Sequence, residues 1–219
     1  MKKKKKKVRL KYKNIVIFLI IITLIVSTFN YFNNLKIKNI FIIGNDMYKD
    51  QEIIRLAGIE NYPKTLYYST KKIKNKLNKE IFIKEVKVTK KRLTQVFIEL
   101  EENYPLYYYI DKTILLDGRV TSSIMDCPTL INEVPKEIKL INYLKLINKD
   151  ILNKISEIKY EPDEVDSKKF RFTMNDGNYV YVTLNKIEKI NKYIDYVKEF
   201  NNKKGTLYLN SGEYFKINS

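Results

Sequence analysis

The pattern of apolar and polar positions changes period repeatedly along the chain. From Ile15 to Val26 (IVIFLIIITLIV) every side chain except Thr23 is apolar, and no charge occurs before Asn33. At 1.5 Å rise per residue, the run from Ile15 to Phe32 spans roughly the 30 Å hydrocarbon core of a bilayer. Phe29, Tyr31 and Phe32 supply interfacial aromatics at its end. Beyond it, Lys36 to Ile43 (KIKNIFII) is rich in strand formers, and Gly44-Asn45-Asp46 breaks the run. Asp50 is expected to cap a helix with Ile53, Ile54 and Ala57 on one face, and Gly58 suits its C′ position. A second short helix is predicted from Ser69 or Thr70 to Leu77. Two alternating runs follow. Ile83 to Val88 sets Ile83, Glu85 and Lys87 against Lys84, Val86 and Val88. Gln95 to Glu101 places Val96, Ile98 and Leu100 on one face, with Lys90 to Leu93 as the turn between the runs. The order is β-α-α-β-β.

Pro105 opens a second unit of mixed α and β character. Leu106 to Ile110 and Thr113 to Leu116 read as strands, with Asp117-Gly118 as a turn and Ser122 to Thr129 as a loop. Pro135 suits the first turn of a helix whose apolar stripe is Ile138, Ile141, Leu144, Ile147 and Ile151. Phe170 to Met174 and Tyr179 to Thr183 form a predicted hairpin across Asp176-Gly177. Lys186 to Phe200 gives the clearest helical spacing, through Ile187, Ile190, Ile194 and Val197. Gly205 opens a final run, GTLYLNSGEYFKI. The fold class expected is therefore α+β: one N-terminal transmembrane helix, a β-α-α-β-β domain, then a second domain with a mixed or antiparallel sheet.

Charge changes the picture at the N-terminus. The 219 residues carry 42 Lys+Arg against 25 Asp+Glu, for a formal net charge of +17. Nine cations fall in the first 13 residues: Lys2 to Lys7, Arg9, Lys11 and Lys13. Next to an apolar span, these fix topology. The positive-inside rule keeps residues 1–13 in the cytoplasm and exports the chain beyond about Asn33. The flank STFNYFNN has bulky residues and no A-x-A-like cleavage site, so the span reads as an uncleaved anchor over 14–33 and not as a signal peptide. Residual basicity is mostly lysine, which with Asn, Ile and Tyr has AT-rich codons, so genomic bias accounts for it without a binding surface.

Composition argues against catalysis. There is no histidine, which removes Ser-His and Cys-His nucleophiles and most zinc sites. The single cysteine, Cys127, permits no intrachain disulfide and has no activating imidazole. Glu101 and Glu102 resemble a carboxylate pair, but adjacent strand residues point to opposite faces. Tyr107 to Tyr109 could stack on bases, yet they lie in the exported part. No catalytic, cofactor or metal residue is assigned, and neither nucleic acid nor a small-molecule substrate is expected. A sortase-like transpeptidase would need the missing histidine.

In this order the segments resemble the bacterial cell division family FtsQ/DivIB. Lys38 to Asn45 (KNIFIIGN) resembles the family's opening strand and G-N turn, and Gln51 to Gly58 (QEIIRLAG) its first helix. Val86 to Pro105 (VKVTKKRLTQVFIELEENYP) resembles its strand-turn-strand ending in E-x-x-P, here Glu102 and Pro105. Leu115 to Val120 (LLDGRV), the Asn175 to Gly177 hairpin and the closing GTLYLNSGEYF follow in family order. A proline common in the Lys90 to Leu93 turn is absent. The resemblance implies a POTRA domain at 35–104 and a β domain at 105–219. It implies a non-enzymatic scaffold at the division septum, anchored by one transmembrane helix. The partners implied are single-pass division proteins of the FtsL and FtsB/DivIC types, and the process is septal peptidoglycan synthesis. A partner strand would add to the C-terminal edge, at Thr206, Leu207, Tyr208 and Leu209 and at Tyr214, Phe215, Lys216 and Ile217. The plainer alternative for these residues is an ordinary last strand with its aromatics packed inward. The alternative function is a membrane-anchored exported POTRA-type chaperone or another cell-envelope assembly protein.

Overall fold

The structure, a computed structural model, describes residues 12–201 and 203–217. The basic run from Lys2 to Lys11 lies outside them. Helix α1 (Tyr12–Asn34) has 23 residues, none buried. Its apolar side chains lie all round, as a lipid-facing helix requires. Hydroxyls that would be unsatisfied in lipid turn back onto the helix: Thr23 donates to the Leu19 carbonyl and Thr28 to that of Leu24. The chain falls into two compact units that divide between Glu102 and Asn103.

The first unit carries β1 (Asn39–Ile43), α2 (Asp50–Ala57), α3 (Thr70–Leu77), β2 (Ile83–Lys91) and β3 (Gln95–Glu102). The sheet order is β1-β3-β2, with β1 parallel to β3 and β2 antiparallel to it. Both helices cover one face, so Ile53, Ala57, Ile73 and Leu77 close over Val86, Val96, Ile98 and Leu100. Strict alternation would have put Ile83 on the face opposite Val86. A bulge between Ile83 and Glu85 brings both into the core. Asp50 does not cap α2. It is the first helical residue, preceded by Lys49, whose N–H is taken by the Glu52 carboxylate at 3.0 Å. Gly58 ends the helix in the left-handed region, with Gly58 N–H to Arg55 O (2.8 Å) and Ile59 N–H to Ile54 O (3.1 Å). The β2–β3 turn sits later than expected. Strand β2 runs to Lys91, and Arg92 and Leu93, both at positive φ, make the reversal.

Glu101 and Glu102 do diverge. Glu101 meets Lys84 at the surface, whereas Glu102 is buried and accepts from the Met47 and Tyr48 N–H groups at 2.8–3.0 Å. Glu102 is therefore structural: it satisfies backbone donors in the loop that leads into α2.

The second unit is a nine-stranded mixed sheet. Its strands are β4 (Pro105–Tyr109), β5 (Lys112–Leu115), β6 (Val120–Thr121), β7 (Thr129–Leu130), β8 (Ile155–Tyr160), β9 (Lys169–Met174), β10 (Tyr179–Thr183), β11 (Gly205–Tyr208) and β12 (Tyr214–Ile217). Their spatial order is β12-β11-β10-β9-β8-β7-β4-β5-β6. The short β7, expected as loop, pairs with β4 and β8 and so joins the two halves of the sheet.

Two predicted helices are broken. The stripe from Pro135 to Ile151 forms only α4 (Leu140–Leu144) and α5 (Lys149–Leu152). Asn191 enters the gap between them, accepting from the Asn148 N–H at 2.8 Å and donating to the Leu146 carbonyl at 3.0 Å. Residues Leu184–Lys192 form a 3-10 stretch with an irregular Lys186, and only Tyr193–Glu199 is α-helical, here α6.

Candidate functional site

The C-terminal strands divide where the sequence treats them alike. After β10 the chain crosses the sheet through the 3-10 stretch and α6 and returns as β11, parallel to β10. Strand β12 then folds back antiparallel on β11, in the register Leu207↔Phe215 and Tyr208↔Tyr214. Strand β11 therefore has neighbours on both sides, and Leu209 continues this pairing by donating to the Tyr181 carbonyl at 2.7 Å. Thr206 to Leu209 form no sheet edge. At this end of the sheet the edge belongs to Tyr214, Phe215, Lys216 and Ile217, which among the described residues pair with β11 only.

The two faces of this corner differ. Inward, Leu207 and Leu209 are fully buried, and Phe215 is 9% exposed with its ring stacked on Phe200 at 4.9 Å. Phe215 is thus a core residue. Outward, Tyr181, Tyr208 and Tyr214 stack across three strands, with centroids 5.4 and 4.7 Å apart and planes within 14°. Those spacings are close to the strand spacing, so the rings stand on edge as a ladder. Among the described residues the ladder ends at Tyr214, which is 51% exposed; Ile217, opposite Gly205 on the Phe215 face of the strand, is 43% exposed. Lys169, ion-paired with Asp163 at 2.8 Å, lies over the Tyr181 ring.

Several groups that sequence reading missed hold the corner in place. A Cβ on Gly205 would lie 2.4 Å from the Lys216 carbonyl oxygen and 2.5 Å from the Phe215 ring, so only glycine lets β12 approach so closely. The Gly205 N–H donates to buried Asn178 Oδ1 at 2.8 Å, and Asn178 Nδ2 donates to the Tyr193 hydroxyl at 2.8 Å. That hydroxyl in turn donates to the Asp176 carboxylate at 2.7 Å. Burial first, and then the bond to Asp176, push the Tyr193 phenol far above its usual range. The β11–β12 connection is tied down from the crossing segment. Lys186 donates to the Asn210 carbonyl at 2.9 Å, Lys189 pairs with Glu213, and Tyr196 donates to Glu213 at 2.6 Å. Lys189 and Tyr196 hold the Glu213 carboxyl below its ordinary value, while the bond to Glu213 pushes the Tyr196 phenol up to about 12. The outward ladder does have a sequence signal, since alternation along β10 puts Tyr179 and Tyr181 on one face.

Other features offer less chemistry. A cavity of about 520 Å³ lies beside β4, lined by Tyr107, Tyr109, Leu130, Glu133, Pro135 and Ile141. Its lining combines tyrosine and aliphatic side chains with charges of both signs: Asp117, already paired with Arg119, and Glu133 against Lys136 and Lys139. Burial, and then the Asp126 charge, push the Cys127 thiol up to about 11, so at neutral pH it is protonated and a poor nucleophile.

Comparison with known proteins fits this architecture. The POTRA domain, FtsQ-type, matches residues 35–103. Cell division protein DivIB of Bacillus cytotoxicus is 30% identical over 80% of this chain and 74% of its own length. DivIB of Listeria monocytogenes is 23% identical over 99% of this chain and 85% of its own. A solved structure, the major extracytoplasmic domain of DivIB from Geobacillus stearothermophilus, aligns over 48% of this chain and 99% of its own at 20% identity and a TM-score of 0.36, too low for its geometry to bear on this one. With a POTRA unit after an apolar helix and relatives matched along most of both lengths, the chain belongs to the FtsQ/DivIB family of bacterial cell division proteins.

Proposed function

We propose that this divisome membrane protein is a non-enzymatic scaffold that captures an extended segment of an FtsB/DivIC-type protein, together with FtsL, by strand addition to β12, and so helps regulate septal peptidoglycan synthesis. The observation that carries this reading is the position of β12. It is one of the two outermost strands of the nine-stranded sheet, with Tyr214, Lys216 and Ile217 exposed beside backbone groups that, among the described residues, have no strand partner on the outer side. Such an edge gives affinity through main-chain hydrogen bonds and specificity through alternate side chains. Residues 1–13 are the cytoplasmic tail, 14–33 the anchor, 35–104 the POTRA domain and 105–219 the β domain. The basic tail sets the N-terminus inside and both domains outside at the septum.

The test uses the full chain in detergent and the extracytoplasmic segments of FtsL and DivIC-type partners. Tyr214→Asp and Ile217→Asp each place a charge at the docking strand, where desolvation is costly. Both variants should lose capture of the partner while melting like the parent. Parental binding by two well-folded variants refutes the edge.

A further inference from the structure

The first unit carries a second surface, at the point where the apolar helix emerges. Helix α1 ends at Asn34, and the turn Thr65–Tyr67 is bonded directly to the residues that follow it. The Thr65 N–H donates to the Leu35 carbonyl at 2.8 Å, and the Ile37 N–H to the Pro63 carbonyl at 3.0 Å. The Tyr67 hydroxyl reaches Asn33 Oδ1 at 3.5 Å. The turn is held from below: Lys90 donates to the Thr65 carbonyl at 2.7 Å and also to the Tyr68 carbonyl, and the Thr65 hydroxyl donates to the Leu93 carbonyl. Three apolar side chains nevertheless remain outside, with Leu66 54%, Tyr67 58% and Leu93 47% exposed.

Charge around this turn is arranged against itself. Lys36 and Lys64 stand directly opposite each other in an antiparallel bridge, where like charges repel. Among the described residues no ion pair involves either lysine. Helix α3 begins Thr70, Lys71, Lys72, with no acidic residue in its first turn, although that end of a helix favours anions. An anionic surface would relieve both conflicts.

We infer that the Leu66–Tyr67 turn, with Leu93 and the lysines at 36, 64 and 71, docks the POTRA unit onto the anionic phospholipid leaflet from which α1 emerges. The apolar tips enter the headgroup zone, where Tyr is favoured, and the ammonium groups meet lipid phosphates. The inference rests on α1 crossing the membrane, in whichever direction.

The chain has no tryptophan, so one introduced indole reports one position. Full-length Leu66→Trp is reconstituted in vesicles of phosphatidylcholine, alone or mixed with phosphatidylglycerol, containing brominated acyl chains. Ile43→Trp, at the far end of β1 and 64% exposed, is the control. Bromolipid quenching at position 66 should exceed that at 43, rise roughly twofold with phosphatidylglycerol, and fall back in high salt or when Lys36→Glu and Lys64→Glu are added. Far-UV circular dichroism checks that each variant is folded. Equal quenching at 66 and 43, or quenching indifferent to anionic lipid, overturns the inference while the anchor reading stands. Failure of the chain to float with vesicles overturns both.

Discussion

Strand β12 supplies two neighbouring aromatics with opposite assignments, and truncating each in turn separates them. Phe215 faces the core, 9% exposed and stacked on Phe200; Tyr214 faces outward, half exposed and stacked on Tyr208. Complete burial sets the cost of Phe→Ala at about 3–5 kcal/mol, and an outermost strand that relaxes into the void places Phe215→Ala near the lower end, about 3 kcal/mol. In a domain of roughly a hundred residues that lowers Tm by roughly 10–15 °C. Tyr214→Ala loses one stacked pair and half of its area, about 1 kcal/mol or less, which is under about 5 °C. Calorimetry on the full chain in detergent, run alongside partner capture, reads both quantities. Phe215→Ala should lose stability and, through it, binding. Tyr214→Ala should lose binding at nearly parental stability. If the two variants melt alike, or Phe215→Ala melts like the parent, the assignment of inward and outward faces on β12 is wrong.

Three further outcomes are expected. Glu102→Gln replaces a buried acceptor of the Met47 and Tyr48 N–H groups with an amide that can satisfy only part of them; a loss of about 2–3 kcal/mol and faster hydrogen exchange over residues 44–49 should follow. Gly205→Ala forces β12 away from the Lys216 carbonyl contact, so a loss of about 2–3 kcal/mol and weaker partner capture are expected, and a neutral result would show that β12 is not held so closely. Because the folded Glu213 carboxyl titrates below its unfolded value of about 4.3, its contribution is present above that pH and is lost as pH falls through the folded value; the Tm gap between parent and Glu213→Gln should be open at pH 7 and closed in acid.

The POTRA unit was legible because its signals are local. Val96, Ile98 and Leu100 alternate in the sequence and lie on the buried face, and the residues of α2 and α3 that recur at helical spacing are those that close over them. What escaped was the bulge at Ile83, which corrects an alternation of the wrong phase, and the Arg92–Leu93 reversal. Neither residue advertises positive φ, as Asn-Gly would; the strands on either side impose that turn.

In the second unit the misreadings share a cause: long-range contacts decided what local periodicity could not. Ile187, Ile190, Ile194 and Val197 read as an α-helical stripe, yet the buried residues are Leu184, Ile187, Ile190 and Tyr193, each three apart. Three per turn is the 3-10 repeat, and Leu184 lay outside the window assigned to the helix. Tyr193 was passed over because a tyrosine reads as surface until its hydroxyl has a partner, and its partners, Asp176 and Asn178, sit in the β9–β10 turn. The break between α4 and α5 depends in the same way on Asn191, more than forty positions further along. The edge followed suit. A chain crossing from β10 could return beside any strand, and no residue in Thr206 to Leu209 states that it pairs parallel to β10. Once that pairing is made, β11 is enclosed, and the free edge at this end of the sheet passes to the last strand.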